Sequence, residues 1–224
     1  MGLSMNAKII IAVDGPAGAG KGTIARYLAH RYQLKLLETG LLYRLLAYHA
    51  HQQNIPPSHS MALTNLAKTL DFNDLTLDQL RHESIGELAS QISILPEVRA
   101  LITSQIHLFC QNIENPYQGL VLDGRDIGTV VCPHAPIKFF ITATPEARAQ
   151  RRRLEMKKKG LFEQASLADI KERDHRDQTR QEAPLKMAAD AHLIDTTHLT
   201  IEEANNKVIE YLSKNLKINF NEKI

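Results

Sequence analysis

Cysteine is scarce in this 224-residue chain. Cys110 and Cys132 are the only two, and their spacing fits neither a zinc site nor a redox pair. A disulfide framework is not expected in a chain of this size, so both read as reduced thiols packed like small hydrophobes. An excess of one charge is also lacking. Lys and Arg number 27 against 25 Asp and Glu, a formal +2, too little for a general nucleic-acid binder. Long apolar runs are missing as well. None approaches the roughly 20 residues that span a bilayer. The run at 9–13 stops at Asp14, too early for a signal peptide. The expected setting is cytoplasmic, with no membrane contact.

What is present is an alternation of strand and helix signals. "KIIIAV" (8–13) is a short β-branched run ended by Asp-Gly-Pro, and it reads as a strand buried on both faces. Ile24, Tyr27, Leu28 and Tyr32 then recur at helical spacing, which predicts a helix starting near Gly20. "GLVLDG" (119–124) and "IKFFIT" (137–142) repeat the buried-strand pattern, and "HLID" (192–195) is a shorter fourth. Thr144-Pro145-Glu146 supplies N-cap, N1 proline and first-turn acid for a helix running to Lys159 and ending at Gly160. A last helix over 201–214 carries Ile201, Ala204, Val208, Ile209 and Leu212 on one side. Such alternation indicates an α/β fold, a parallel sheet with helices on both faces. Residues 51–100 are polar, helix-leaning and broken at "NIPPSHS" (54–60), as expected of an insert on that core.

"DGPAGAGKGT" (14–23) stands between the first strand and its helix. Gly15, Pro16, Ala17, Gly18, Ala19, Gly20 and Gly22 make a loop of small residues whose N–H groups can converge on a phosphate. The helix N-terminus behind them adds partial positive charge. Lys21 would reach the β- and γ-phosphates of a nucleotide. Thr23 offers a hydroxyl to a metal, directly or through water, one position later than in the commoner form of this P-loop. A ligand-free glycine turn is the alternative, but strand, loop, lysine and helix together favour a nucleotide site. A GTPase would need Asn-Lys-x-Asp, whereas Asn206-Lys207 is followed by Val208 and Ile209.

Arginines supply the second signal. Arg173, Arg176 and Arg180 stand at i, i+3 and i+7, which predicts one helix face. Asp174 and Asp177 partly offset them; an ion-paired surface helix is the alternative. "RAQRRRLEMKKKG" (148–160) reads as a basic surface helix, a nucleic-acid patch or a mobile lid. No aromatic side chain interleaves it, and the lid fits best, with Arg148, Arg151 and Arg152 as ATP contacts. "DGRD" (123–126) follows an apolar strand and places Asp123 at its carboxyl end, where parallel sheets bind ligands; an Asx-turn is the alternative. His49 and His51 read as helix-surface residues rather than metal ligands.

With "LLETGLLYR" (36–44), "DGRDIGTVV" (123–131) and "IKERDHRDQTRQEAPLKMAADAHLIDTT" (170–197), the chain resembles bacterial cytidylate kinases over nearly its whole length. The resemblance implies a P-loop nucleoside monophosphate kinase passing the γ-phosphate of ATP, with Mg2+, to CMP or dCMP. It implies a core near 1–37, 101–150 and 165–224, an NMP-binding insert near 38–100, and a lid near 151–164. Carried over residue by residue, Lys21, Arg125, Asp126, Arg173 and Arg180 would be catalytic. Thr39, Arg44, Ser90, Arg99, Asp123, Arg125, Asp126, Arg173, Asp177 and Arg180 would bind CMP, with Ser90, Arg99 and Asp126 reading the base. Glu38-Thr39-Gly40 departs from the usual Asp-Ser-Gly. The insert is shorter than in the long bacterial form, its small sheet reduced to "LDFNDLTLDQL" (70–80). Nucleotides are the expected partners, not nucleic acid, and a monomer is expected. A related kinase acting on UMP, AMP or a non-nucleotide remains open, as does a non-catalytic protein binding nucleic acid through 148–180.

Overall fold

Five stretches form one sheet: β1 (Ile9–Asp14), β2 (Lys35–Glu38), β3 (Gly119–Asp123), β4 (Ile137–Thr142) and β5 (His192–Asp195), ordered β2-β3-β1-β4-β5. In this computed structural model, which describes residues 8–73, 75–158 and 166–215, β1 runs parallel to both β3 and β4, and β4 runs parallel to β5. Side chains alternate between the two faces. Ile11, Val13, Val121, Phe139, Ile141 and Ile194 enter a core shared with α1 (Lys21–Arg31) and α8 (Ile201–Asn215). Ala12, Leu120 and Leu122 turn the other way and are fully buried too. Both faces are covered, which is why these strands read as continuous apolar runs. Each buried aliphatic or aromatic side chain contributes about 1.5–3 kcal/mol. The Phe139 ring meets Tyr211 edge-on at 5.4 Å, and Tyr211 stacks on His192 at 4.0 Å.

The four expected strands are present. β2 was not anticipated, because "KLLE" is four residues long without alternation or bounding glycines. On α8, Ala204, Val208 and Leu212 are buried as expected, but Ile201, the helix's first residue, is 66% exposed. Thr144 Oγ1 accepts from Ala147 N at 3.3 Å at the start of α6 (Pro145–Lys158), the predicted cap. The predicted stop at Gly160 lies outside the described residues, as does the lid segment 159–164. α7 (Leu167–Thr179) ends before Arg180, so the expected single face holds for Arg173 and Arg176 alone. A serine at 166 begins that helix: Ser166 Oγ accepts from Asp169 N and Asp169 Oδ2 accepts from Ser166 N, both at 3.0 Å.

The chain divides into two compact units. Met1–Leu37, Ile113–Thr179 and Ala183–Ile224 form the first; Glu38–Asn112 with Arg180–Glu182 form the second. The second is helical: α2 (Gly40–Gln52), α3 (Ser60–Ala67), a 3-10 turn at Asp78–Arg81, α4 (Glu83–Ile92) and α5 (Pro96–Gln111). Pro96 starts α5 at N1, where its missing N–H costs nothing. No strand occurs among the described residues of 70–80; the reduced sheet expected there is replaced by the 3-10 turn. Leu80, fully buried, anchors that turn.

Candidate nucleotide site

The carboxyl ends of β1, β3, β4 and β5 gather the site in the first unit. Strand order reverses around β1, and a crevice opens at the carboxyl end of such a strand. The loop 15–20 leaves β1 there and feeds directly into α1. A Cβ on Gly15 would lie 1.9 Å from the Ile141 carbonyl oxygen, and Gly20 enters the helix at φ +94°. Only glycine meets both demands.

The loop is held from behind. Arg148 Nη1 donates to Ala17 O at 3.2 Å, and the Thr196 hydroxyl lies 2.9 Å from Ala19 O. In a trans peptide the C=O and the following N–H point opposite ways. Anchoring these two carbonyls therefore aims the Gly18 and Gly20 N–H groups toward the other side, where a phosphate would sit. Lys21 follows, 5% exposed, with Nζ donating to Pro16 O at 2.8 Å and 4.0 Å from Asp123 Oδ1. Burial pushes its pKa down to about 7; the positive charge of Arg125 adds to this, Asp123 opposes it, and Arg173 lowers it further.

Gly22, at the variant position of the loop, packs closely against two side chains. A Cβ there would lie 3.2 Å from Asp123 Oδ2 and 3.3 Å from Arg26 Nη1. Glycine lets the Asp123 carboxylate close on the first turn of α1, and Thr23 brings the hydroxyl one residue later.

Past Asp123 the "DGRD" turn projects Arg125. Its Nε donates to Asp177 Oδ2 at 3.0 Å and its Nη1 to Gly124 O at 3.0 Å. Asp177 is therefore the ionic partner of Arg125, beyond its expected offset of Arg173. Asp126 is 6% exposed and leads into a wide turn at Ile127–Val131. Two residues outside the expected set hold the site, one at this turn and one at the loop. Asp14, the last residue of β1, accepts from Ile127 N at 2.9 Å and Gly128 N at 2.7 Å. Burial raises its carboxyl to about 6; the Gly128 and Ile127 N–H groups pull it back, and Asp126 pushes it up. Thr196, at the end of β5, is the other. Their only sequence signals were an acid closing an apolar run and a hydroxyl after a strand.

The three expected lid arginines lie on α6. Arg148 is 2% exposed; Nε donates to Ala143 O at 2.9 Å, and Nη1 and Nη2 grip both oxygens of Asp174. It is a fixed strut under the loop, because burial and a bidentate carboxylate leave it no room to swing. Arg151 donates to the Thr196 hydroxyl at 2.9 Å and to the Thr196 carbonyl. Arg152 is half-buried, its pKa lowered by burial against the charges of Glu155 and Asp169. Arg176 pairs with Glu172 at 3.1 Å, the surface pair weighed as the alternative for this helix.

The second unit holds five of the expected residues. Thr39 precedes α2 and is 5% exposed. Arg44 on α2 donates from Nη1 to Leu80 O at 2.6 Å and His82 O at 3.1 Å, and lies flat on Gly86, whose added Cβ would meet Nη2 at 2.3 Å. Ser90 is one turn beyond Gly86 on α4, buried, its carbonyl accepting from Ser93 Oγ at 2.8 Å. Arg99 is 6% exposed, donates to Ser93 O at 3.1 Å and faces the Tyr43 ring at 5.9 Å. Arg180 is 9% exposed in the short segment that joins this unit. Glu38, longer than aspartate, reaches Arg81 of the 3-10 turn at 2.9 Å.

Comparison with known proteins identifies the family. The family profile described as cytidylate kinase matches residues 11–214. The cytidylate kinase of Bartonella bacilliformis is 48% identical over 197 residues, covering 87% of this chain and 90% of that one. That of Cereibacter sphaeroides is 46% identical over 205 residues, covering 91% and 94%. That of Mesorhizobium japonicum is 47% identical over 196 residues, covering 87% and 89%. With a glycine loop, a buried lysine and a "DGRD" turn at one sheet edge, and with these relatives over most of its length, the chain is a kinase that belongs to the cytidylate kinase family.

Proposed function

We propose that the protein transfers the γ-phosphate of ATP to CMP or dCMP, giving ADP and CDP or dCDP. One observation carries this reading. A buried lysine, crowded by Arg125 and Arg173, sits behind a loop whose N–H groups are aimed outward from the sheet edge. Such crowding is unfavourable until anions arrive, and two phosphate tails supply them.

The 15–23 segment takes the ATP phosphates, and Lys21 leaves the Pro16 carbonyl for the β- and γ-oxygens. Arg125 and Arg173 face the transferring group, where charge spreads over its equatorial oxygens. Thr39, Arg44, Ser90, Arg99, Asp123, Asp126, Asp177 and Arg180 hold CMP. The acceptor is already a phosphate with a second pKa near 6, so no dedicated base is required. Arg148 contributes by fixing the loop. Hard oxygen donors suit Mg2+; the Thr23 hydroxyl and the Asp123 carboxylate beside Gly22 would hold it, directly or through water. There it would supply positive charge to offset that of the phosphates. Arg148 and Arg151 are tied to Asp174 and Thr196, which speaks against a nucleic-acid face on α6. A cytoplasmic monomer completes the reading; no helix among the described residues is long and apolar enough to cross a membrane.

ADP release measured with ATP and each nucleoside monophosphate tests the assignment. CMP and dCMP are expected to lead by at least about tenfold in kcat/KM, a margin of about 1.4 kcal/mol. UMP or AMP in front would favour the related kinase reading, for which the Glu38-Thr39 change is the motive.

A further inference from the structure

We propose that Asp14 is a positioning residue for the acceptor side of the reaction, clamping the turn that presents Arg125 and Asp126 to the strand that carries the phosphate loop. Its carboxylate is 4% exposed and spans two backbone donors, Ile127 N at 2.9 Å and Gly128 N at 2.7 Å. It precedes Gly15 by one residue and therefore joins the origin of the donor loop to the residue after "DGRD". The clamp is tight on its far side too. A Cβ on Gly128 would lie 3.3 Å from Asp14 Oδ2 and 3.1 Å from Lys138 Cδ. The Lys138 stem lies against Gly128, and its Nζ turns to Asp190 and Pro133 O.

A carboxylate is required, because both donors need an acceptor and a carboxamide offers only one. The unmet N–H would then be buried against an NH2 group, and the turn would relax. Arg125 hangs on that turn, and charge stabilisation falls steeply with misplacement. The charged groups that face Asp14 are Asp126, which raises its pKa, and Lys21, which lowers it; Lys138 lies across Gly128. The proposal rests on the placement of CMP at Arg125 and Asp126.

The test is Asp14→Asn in the full chain. KM for ATP is expected within about threefold of wild type, while kcat/KM for CMP falls about 30-fold. Amide hydrogen exchange at Ile127 and Gly128 is expected to accelerate at least tenfold without nucleotide. Equal losses toward both substrates, or unchanged exchange at those two amides, would overturn it. Should Asp14→Asn not fold, the unmodified protein decides: as pH falls from neutral, the Ile127 and Gly128 amide signals must shift together with one midpoint, which burial of Asp14 moves upward from the ordinary carboxylate range. Two amides that shift with different midpoints, or that do not shift before the protein unfolds in acid, would refute the clamp. If Arg125→Ala leaves CMP use intact while both amides still report Asp14, the functional reading fails and the clamp stands.

Discussion

Replacing Lys21 by methionine should abolish turnover and, without nucleotide, make the protein more stable. A lysine free in an unfolded chain has its ordinary pKa of 10.5, whereas here it is held near 7. The sign follows from proton binding. Between those values the unfolded chain binds more protons, so the penalty is full below about 7 and fades as pH rises toward 10.5. At pH 7 this linkage amounts to about 4 kcal/mol against folding. Methionine fills much of the same volume and removes the charge. It also removes the hydrogen bond to Pro16 O, about 1 kcal/mol. A net gain of about 2–3 kcal/mol remains, and for a chain of this size it should raise Tm by about 4–10 °C. Turnover should fall at least about 100-fold, as when a charge-stabilising donor is lost. Thermal unfolding with and without ATP, beside ADP release, reads both effects. A lower Tm would refute the buried-charge argument, and near-normal turnover would refute the role of the loop.

Three further outcomes follow from the same geometry. ATP binding at pH 8 should take up as much as one proton as phosphate restores the charge on Lys21, with the uptake vanishing near pH 6 and absent in Lys21→Met; titration calorimetry in buffers of different ionisation enthalpy measures it. Arg148→Met should strand the Asp174 carboxylate and cost about 3–5 kcal/mol of stability in thermal unfolding, whereas Arg152→Ala should cost less than about 1 kcal/mol; equal costs would restore Arg148 to a mobile lid. Arg180→Ala should lower kcat/KM for CMP about 100-fold with ATP affinity within twofold, and equal effects on both nucleotides would refute its place at the acceptor.

The strands and the loop were legible because each rests on local chemistry. A β-branched run stopped by Asp-Gly-Pro leaves little besides a buried strand, and small residues between that run and a helical period leave little besides a tight strand-to-helix loop. β2 was not legible, since "KLLE" becomes a strand only because a sheet edge is waiting for it. The arginines mark the boundary of what spacing can say. Arg148 sits among seven basic residues in "RAQRRRLEMKKKG" and its setting suggests a lid contact to ATP, but its partners Asp174 and Ala17 are 26 and 131 positions away. Arg180 fell in register with Arg173 and Arg176, but the helix ends at Thr179. Asp14 was read as the residue that ends a strand. Its acceptors' partners, Ile127 and Gly128, lie more than 100 positions on, and no local pattern announces a bond of that span.

The most direct test follows the phosphorus atom itself. With γ-labelled ATP, CMP and Mg2+ in a single turnover, the label should appear in CDP, with little in inorganic phosphate, and Lys21→Met should yield neither. Label released to water in preference to CMP, or transfer that survives without the Lys21 ammonium, would contradict the account.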